Sequence, residues 1–157
     1  MSVIRNARDA DLPAILRLLV QVNMVHHNGR PDLFRGPVTK YSEAELKEIL
    51  REKSTPVFVY ADETDSVLGY AFCIVKTPPN TALFTDVRTL YIDDLCVDEA
   101  ARGKHVGSAL LRHVEQYARE IGCYNVTLNV WSCNPGALAF YEHEGLVPQK
   151  IGMEKIL

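Results

Sequence analysis

Short apolar, β-branched runs alternate along the chain with segments whose apolar residues recur every three or four positions. That switching of period sets out the elements. Residues 3–7 (VIRNA) read as a first strand. Asp9 or Asp11 then caps a helix with Pro13 in its first turn, where a missing N–H costs little. Ile15, Leu18, Leu19 and Val22 give that helix an apolar face. Residues 26–40, with two prolines and two glycines, read as a loop. Ser42 and Glu45 form a capping box for a second helix ending near Lys53, with Leu46, Ile49 and Leu50 inward. Residues 56–62 (PVFVYAD) and 67–76 (VLGYAFCIVK), joined by the turn ETDS, read as a β-hairpin. After the break TPPN comes a strand over 89–97 (TLYIDDLCV), then a helix from about Gly103 to Ile121. Its stripe is Val106, Leu110, Val114, Tyr117 and Ile121, and Gly122 ends it. A strand over 125–131, a short helix over 135–143 and a last strand over 147–157 complete the pattern.

Strand 89–97, its helix and strand 125–131 form a βαβ unit, which needs a parallel or splayed pair, whereas the hairpin supplies antiparallel strands. The expected fold is a mixed sheet with helices on both faces. At 157 residues the chain is long enough for one domain with a substantial core, and no repeat or linker divides residues 1–157. The net charge of −3 and the absence of any Lys/Arg run argue against nucleic acid as a partner. No apolar run approaches the length of a membrane span, and the N-terminus lacks the apolar core of a secretory signal. Cys73, Cys96, Cys123 and Cys133 form no C-x-x-C pair and read as free thiols of a reducing compartment. His26 and His27 are adjacent, so on a helix their rings diverge; no metal site is expected.

The chemistry concentrates in RGKHVGSALL, residues 102–111. Gly103 and Gly107 stand at a helix start that follows a strand end. Free backbone N–H groups and the helix dipole favour an anion there, with Arg102 and Lys104 at the rim. The segment is neither a P-loop nor a dinucleotide fingerprint.

RGKHVG resembles the [QR]-x-x-G-x-[GA] motif of the GNAT superfamily of acyl-CoA-dependent N-acetyltransferases, with Arg102, His105 and Gly107 at the motif positions. His105 stands where glycine is usual, and requires an unstrained φ. LCVDEAARG resembles the strand end leading into that turn, and NPGALAFYEHEGL, residues 134–146, resembles the family's second block. The resemblance is strong over 89–147 and looser elsewhere. It implies an α/β (mixed α+β) GNAT-type fold, with a mostly antiparallel sheet of six to seven strands and a splayed parallel pair. It also implies acetyl-CoA as co-substrate, a small-molecule amine as acceptor and a homodimer as a partner state; the free thiols and the absence of a secretory signal add a cytoplasmic location.

By the same resemblance, backbone groups of Leu95, Cys96 and Val97 hold the pantetheine arm and polarise the thioester carbonyl. Amides from Gly103, Lys104, His105, Val106, Gly107 and Ser108 seat the pyrophosphate. Asn134, Ala137 and Phe140 line the cofactor, and the Tyr141 hydroxyl protonates the departing sulfur. YIDDLCV is similar to a run in diamine and polyamine acetyltransferases in which Asp93 matches an acidic residue that binds the cationic acceptor. Strand alternation puts Asp93 and Asp94 on opposite faces, so only one can face the cleft. The base is Asp93, Asp94 or water. Asn129, where some protein N-terminal acetyltransferases carry a glutamate, cannot be a base. Cys96 has no histidine near it in sequence, and the family transfers directly through a ternary complex. Acetylation of a protein amine and non-catalytic acyl-CoA binding stay open beside the small cationic amine.

Overall fold

A computed structural model describes all residues 1–157. Its strands are β1 (Val3–Asn6), β2 (Val57–Ala61), β3 (Val67–Lys76), β4 (Thr89–Val97) and β5 (Asn125–Leu128). Its helices are α1 (Leu12–Gly29), α2 (Glu43–Arg51), α3 (Val106–Glu120) and α4 (Pro135–His143). The sheet order is β1-β2-β3-β4-β5. Every neighbour pair is antiparallel except β4–β5, the parallel pair expected of the βαβ unit.

Strand alternation sends one set of side chains to each face of the sheet. Val59, Tyr70 and Phe72 pack with Ile15, Leu18, Leu19 and Leu46 under α1 and α2. Phe58, Ala71, Leu90 and Ile92 pack with Leu110, Leu111 and Val114 of α3. The Ser42 box is formed: the Glu45 N–H donates to Ser42 Oγ at 3.2 Å, and the Ser42 N–H donates to Glu45 Oε2 at 2.7 Å. At the other end of the sheet, Arg5 makes two hydrogen bonds to the buried Asp11 carboxylate. Burial alone would raise the Asp11 carboxyl, but Arg5 holds it below its ordinary value.

Beyond shifts of one or two residues at element ends, the structure departs from the sequence pattern in four places. The sheet has five strands, not six or seven, because residues 147–157 join no strand. Pro148 has no ladder donor, and Val147, Ile151, Met153 and Ile156 remain exposed. Strand β5 ends at Leu128 instead of 131, since its pairing with β4 stops at Ile92. Helix α1 continues through His26 and His27 to Gly29, and the segment after it begins at Arg30, four residues later than the proline and glycine content suggested. Helix α3 starts at Val106, not Gly103, because positive φ at Gly103 and His105 keeps the helix from beginning earlier. No helix is long and apolar enough to cross a membrane.

Candidate active site

The site is a gap between β4 and β5. The strands pair from Thr89–Asn125 to Ile92–Leu128 and then separate. Beyond Ile92, β4 continues to Val97 bonded only to β3. The Cys73 N–H bonds the Pro56 carbonyl on the β2 side, and the Asp98 N–H bonds the Leu68 carbonyl. Ladder alternation then makes Tyr70–Cys96 and Phe72–Asp94 the hydrogen-bonded pairs. The N–H groups of Leu95 and Val97 point the other way, into the gap. Cys96 therefore differs from its two neighbours: its amide is spent on the sheet. Its buried thiol, pushed up to about 12 first by burial and then by Asp94, is a protonated core group and no ready nucleophile.

A bulge in β4 overturns the alternation expected of the aspartates. Phe72 pairs with Asp94 and Cys73 with Ile92, so Asp93 is the extra residue. Both carboxylates consequently lie on the α1/α2 face. The Tyr41 hydroxyl donates to Asp93 Oδ2 at 2.5 Å, and Tyr41 stacks on Phe72. The Tyr70 hydroxyl donates to Asp94 Oδ2 at 2.9 Å, and Tyr70 meets the same Phe72 edge-on. Burial pushes the Asp94 carboxyl up to about 6, against the hydrogen bond from Tyr70 and the charge of Lys40. Lys40 itself pairs with Asp93 Oδ1 at 3.0 Å.

The glycine-bearing turn closes one end of the gap. The Ala109 N–H, bonded to the His105 carbonyl at 3.0 Å, makes the first helical hydrogen bond of α3. The N–H groups of Val106, Gly107 and Ser108 precede it, and no side chain caps them. Arg102, Gly103, Lys104 and His105 are exposed around them. His105 has φ 60°, ψ 21°, so the unstrained φ expected for it is not found. The turn demands a left-handed residue there, which explains why glycine is usual at that motif position. His105→Gly is expected to stabilise the fold by about 0.5–1 kcal/mol and raise Tm by roughly 2 °C. A lower Tm in thermal unfolding would show that the ring makes a stabilising contact.

Helix α4 closes the other side. Asn134 caps it by accepting the Ala137 N–H at 3.3 Å. Phe140 lies against Gly107, where an added Cβ would come within 3.2 Å of its ring. The Ser108 hydroxyl donates to Glu144 at 2.5 Å, tying α4 to α3. These contacts bring Tyr141 over β4. Its hydroxyl has no partner in the protein, and burial, then the neighbouring Asp94 and Cys96, hold its pKa above the ordinary phenol value. Asn129 donates to the Tyr91 hydroxyl, away from this centre.

The sequence pointed to loop 26–40 as an acceptor-side region but assigned no individual role to Lys40, Tyr41 or Tyr70, which are far from the motifs along the chain; the strap of residues 30–42 brings the first two in. Phe34 of that strap packs edge-on to Trp131 at 5.1 Å, and His26 lies 5.0 Å from Phe34.

The family described as Acetyltransferase (GNAT) matches residues 24–146. The chain belongs to the GNAT acetyltransferase family. A segment of 66 residues is 36% identical to glucosamine 6-phosphate N-acetyltransferase 1 of Oryza sativa subsp. japonica, covering 42% of this chain and 38% of the rice protein. The match thus spans well under half of that relative. A mutant of the BH1408 protein of Bacillus halodurans superposes with a TM-score of 0.94 at 29% identity, over 99% of each chain. The Arabidopsis thaliana glucosamine-6-phosphate N-acetyltransferase shares the GNAT fold, with a TM-score of 0.72 at 22% identity over 99% of this chain and 98% of its own.

Proposed function

We propose that this GNAT protein, one domain over residues 1–157, transfers the acetyl group of acetyl-CoA directly to a primary amine within a ternary complex. The observation that carries the reading is the convergence on one gap of the Leu95 and Val97 amides, the uncapped start of α3 and the unpartnered Tyr141 hydroxyl. The residues fit a bound acyl-CoA. The N–H groups of 106–108 seat its pyrophosphate, Arg102 and Lys104 add charge at the rim, and Phe140 and the Asn134-capped helix wall the pantetheine. The thioester is the chemistry the co-substrate supplies. The Leu95 and Val97 N–H groups stabilise the oxyanion formed when the amine adds to it. Asp94 takes the proton from the bound substrate ammonium, the neutral amine so formed attacks the thioester carbonyl, and Tyr141 protonates the leaving sulfur as the C–S bond breaks.

The curated relatives named as glucosamine 6-phosphate N-acetyltransferases support a small amine over a protein as acceptor. The test mixes protein, acetyl-CoA and a panel of amines and follows free thiol. Thiol release that depends on both substrates is expected. Binding of acetyl-CoA with no turnover on any amine would leave a non-catalytic acyl-CoA-binding module.

A further inference from the structure

Both carboxylate oxygens of Asp93 are already engaged by side chains of the protein. Its Oδ1 is paired with Lys40 at 3.0 Å and its Oδ2 accepts from Tyr41 at 2.5 Å. The Lys40 ammonium also lies 3.5 Å from the Asp93 carbonyl oxygen. Asp94, the next residue, accepts from Tyr70 through Oδ2 and keeps Oδ1 free of any side-chain donor. The acceptor side of the gap thus offers one carboxylate oxygen to an amine and, beside it, one built-in ammonium. Lys40 is 45% exposed, so an incoming molecule can reach it.

A diamine gains little from this arrangement. Its second ammonium must expel Lys40 from Asp93, which exchanges one cation for another, or sit unpaired next to it. An acceptor with an acidic group gains a charge-assisted hydrogen bond to Lys40 while its amine meets Asp94. Like charges set side by side exclude the wrong partner as effectively as opposite charges hold the right one. The diamine-like reading of the YIDD stretch treats Asp93 as an open cation site, and the ion pair with Lys40 closes it.

We infer that Lys40 is a specificity-determining residue, and that the acceptor is a primary amine carrying a carboxylate or phosphate group in place of a second amine. This rests on the acetyltransferase reading above. Three four-carbon amines differing only at the far end test it: butylamine, 4-aminobutanoate and putrescine. Ethanolamine with O-phosphoethanolamine separates phosphate from carboxylate.

With acetyl-CoA saturating, the acidic member of at least one set should have a KM at least ~10-fold below its neutral counterpart at similar kcat, the scale of one charge-assisted bond. Putrescine should do no better than butylamine. Lys40→Ala should abolish the acidic preference and improve putrescine, while Lys40→Arg should keep it. Preference for putrescine in the wild type, or an acidic preference that survives Lys40→Ala, would overturn the inference. If no amine turns over, the acetyltransferase reading is what has failed. Calorimetric binding of O-phosphoethanolamine and 4-aminobutanoate, lost in Lys40→Ala, would still support the acidic ligand class, and equal binding or none in both proteins would end it.

Discussion

Tyr141→Phe is expected to lower kcat by roughly 10²-fold or more, the usual contribution of a positioned general acid, and to leave the KM for acetyl-CoA within about two-fold. One feature separates this hydroxyl from the other tyrosines of the site: it has no hydrogen-bond partner in the protein. Tyr41 and Tyr70 donate to Asp93 and Asp94 and are committed to holding carboxylates. Tyr141 donates to nothing in the protein, and its ring is fixed against Phe140 at 5.1 Å, which is itself seated on Gly107. Burial and the nearby acidic groups keep it protonated throughout the working pH range, so it can give a proton to a thiolate and be reprotonated from solvent. Phe preserves the packing and removes only the proton. A single-turnover experiment locates the loss in the chemical step, and donor binding measured by calorimetry checks that the seat on α3 is intact. If Tyr141→Phe turns over at the wild-type rate, the sulfur takes its proton from water and the residue is a wall of the cleft.

The scaffold of this site was legible because its parts are local in sequence. A capping box needs Ser42 and Glu45 three apart. An uncapped helix start after a strand needs only the run from Val97 to Gly107. Asn134 lies one residue before the helix it caps. What alternation could not supply was the bulge at Asp93, because the extra residue is defined by its partners Phe72 and Cys73, twenty positions upstream. The one-residue slip moves Asp94 to the face of Asp93 and turns two separate carboxylates into a pair. The roles of Lys40 and Tyr41 were hidden for the same reason: loop 26–40 could be placed on the acceptor side, but which of its side chains meet Asp93 is set by long-range packing such as that of Phe34 on Trp131, nearly a hundred residues apart. His105 shows the opposite relation. Its mismatch with the motif was visible, and the structure gives the physical cause in the left-handed turn it has to make.

Asp94→Asn should trade activity for stability. The Asp94 carboxyl, pushed up to about 6 by burial despite Tyr70 and Lys40, ionises more readily in the unfolded chain, where a carboxylate titrates near its ordinary 3.8. Below the unfolded value both states are protonated and the group is neutral in its effect. As the pH rises from about 4 to about 6 the unfolded chain loses its proton first, so stability falls. Above about 6 the cost is constant, on the order of 2–3 kcal/mol. Asparagine cannot ionise and its carbonyl can still accept from Tyr70. The variant should therefore gain up to about 2 kcal/mol at pH 7.5, or roughly 5 °C in Tm, with the gain vanishing toward pH 4. The same substitution removes the carboxylate proposed as the base. The kcat/KM should drop roughly 10²-fold, and the acidic limb of the wild-type profile, centred near pH 6, should disappear. The two halves check each other, because a carboxylate held at a cost to folding is the expected mark of a group kept for chemistry. Melts from pH 4 to 8 and rate profiles on the same preparations decide the matter. A retained acidic limb would assign the proton to another group, and a Tm difference independent of pH would show that Asp94 is not held near pH 6 by its burial.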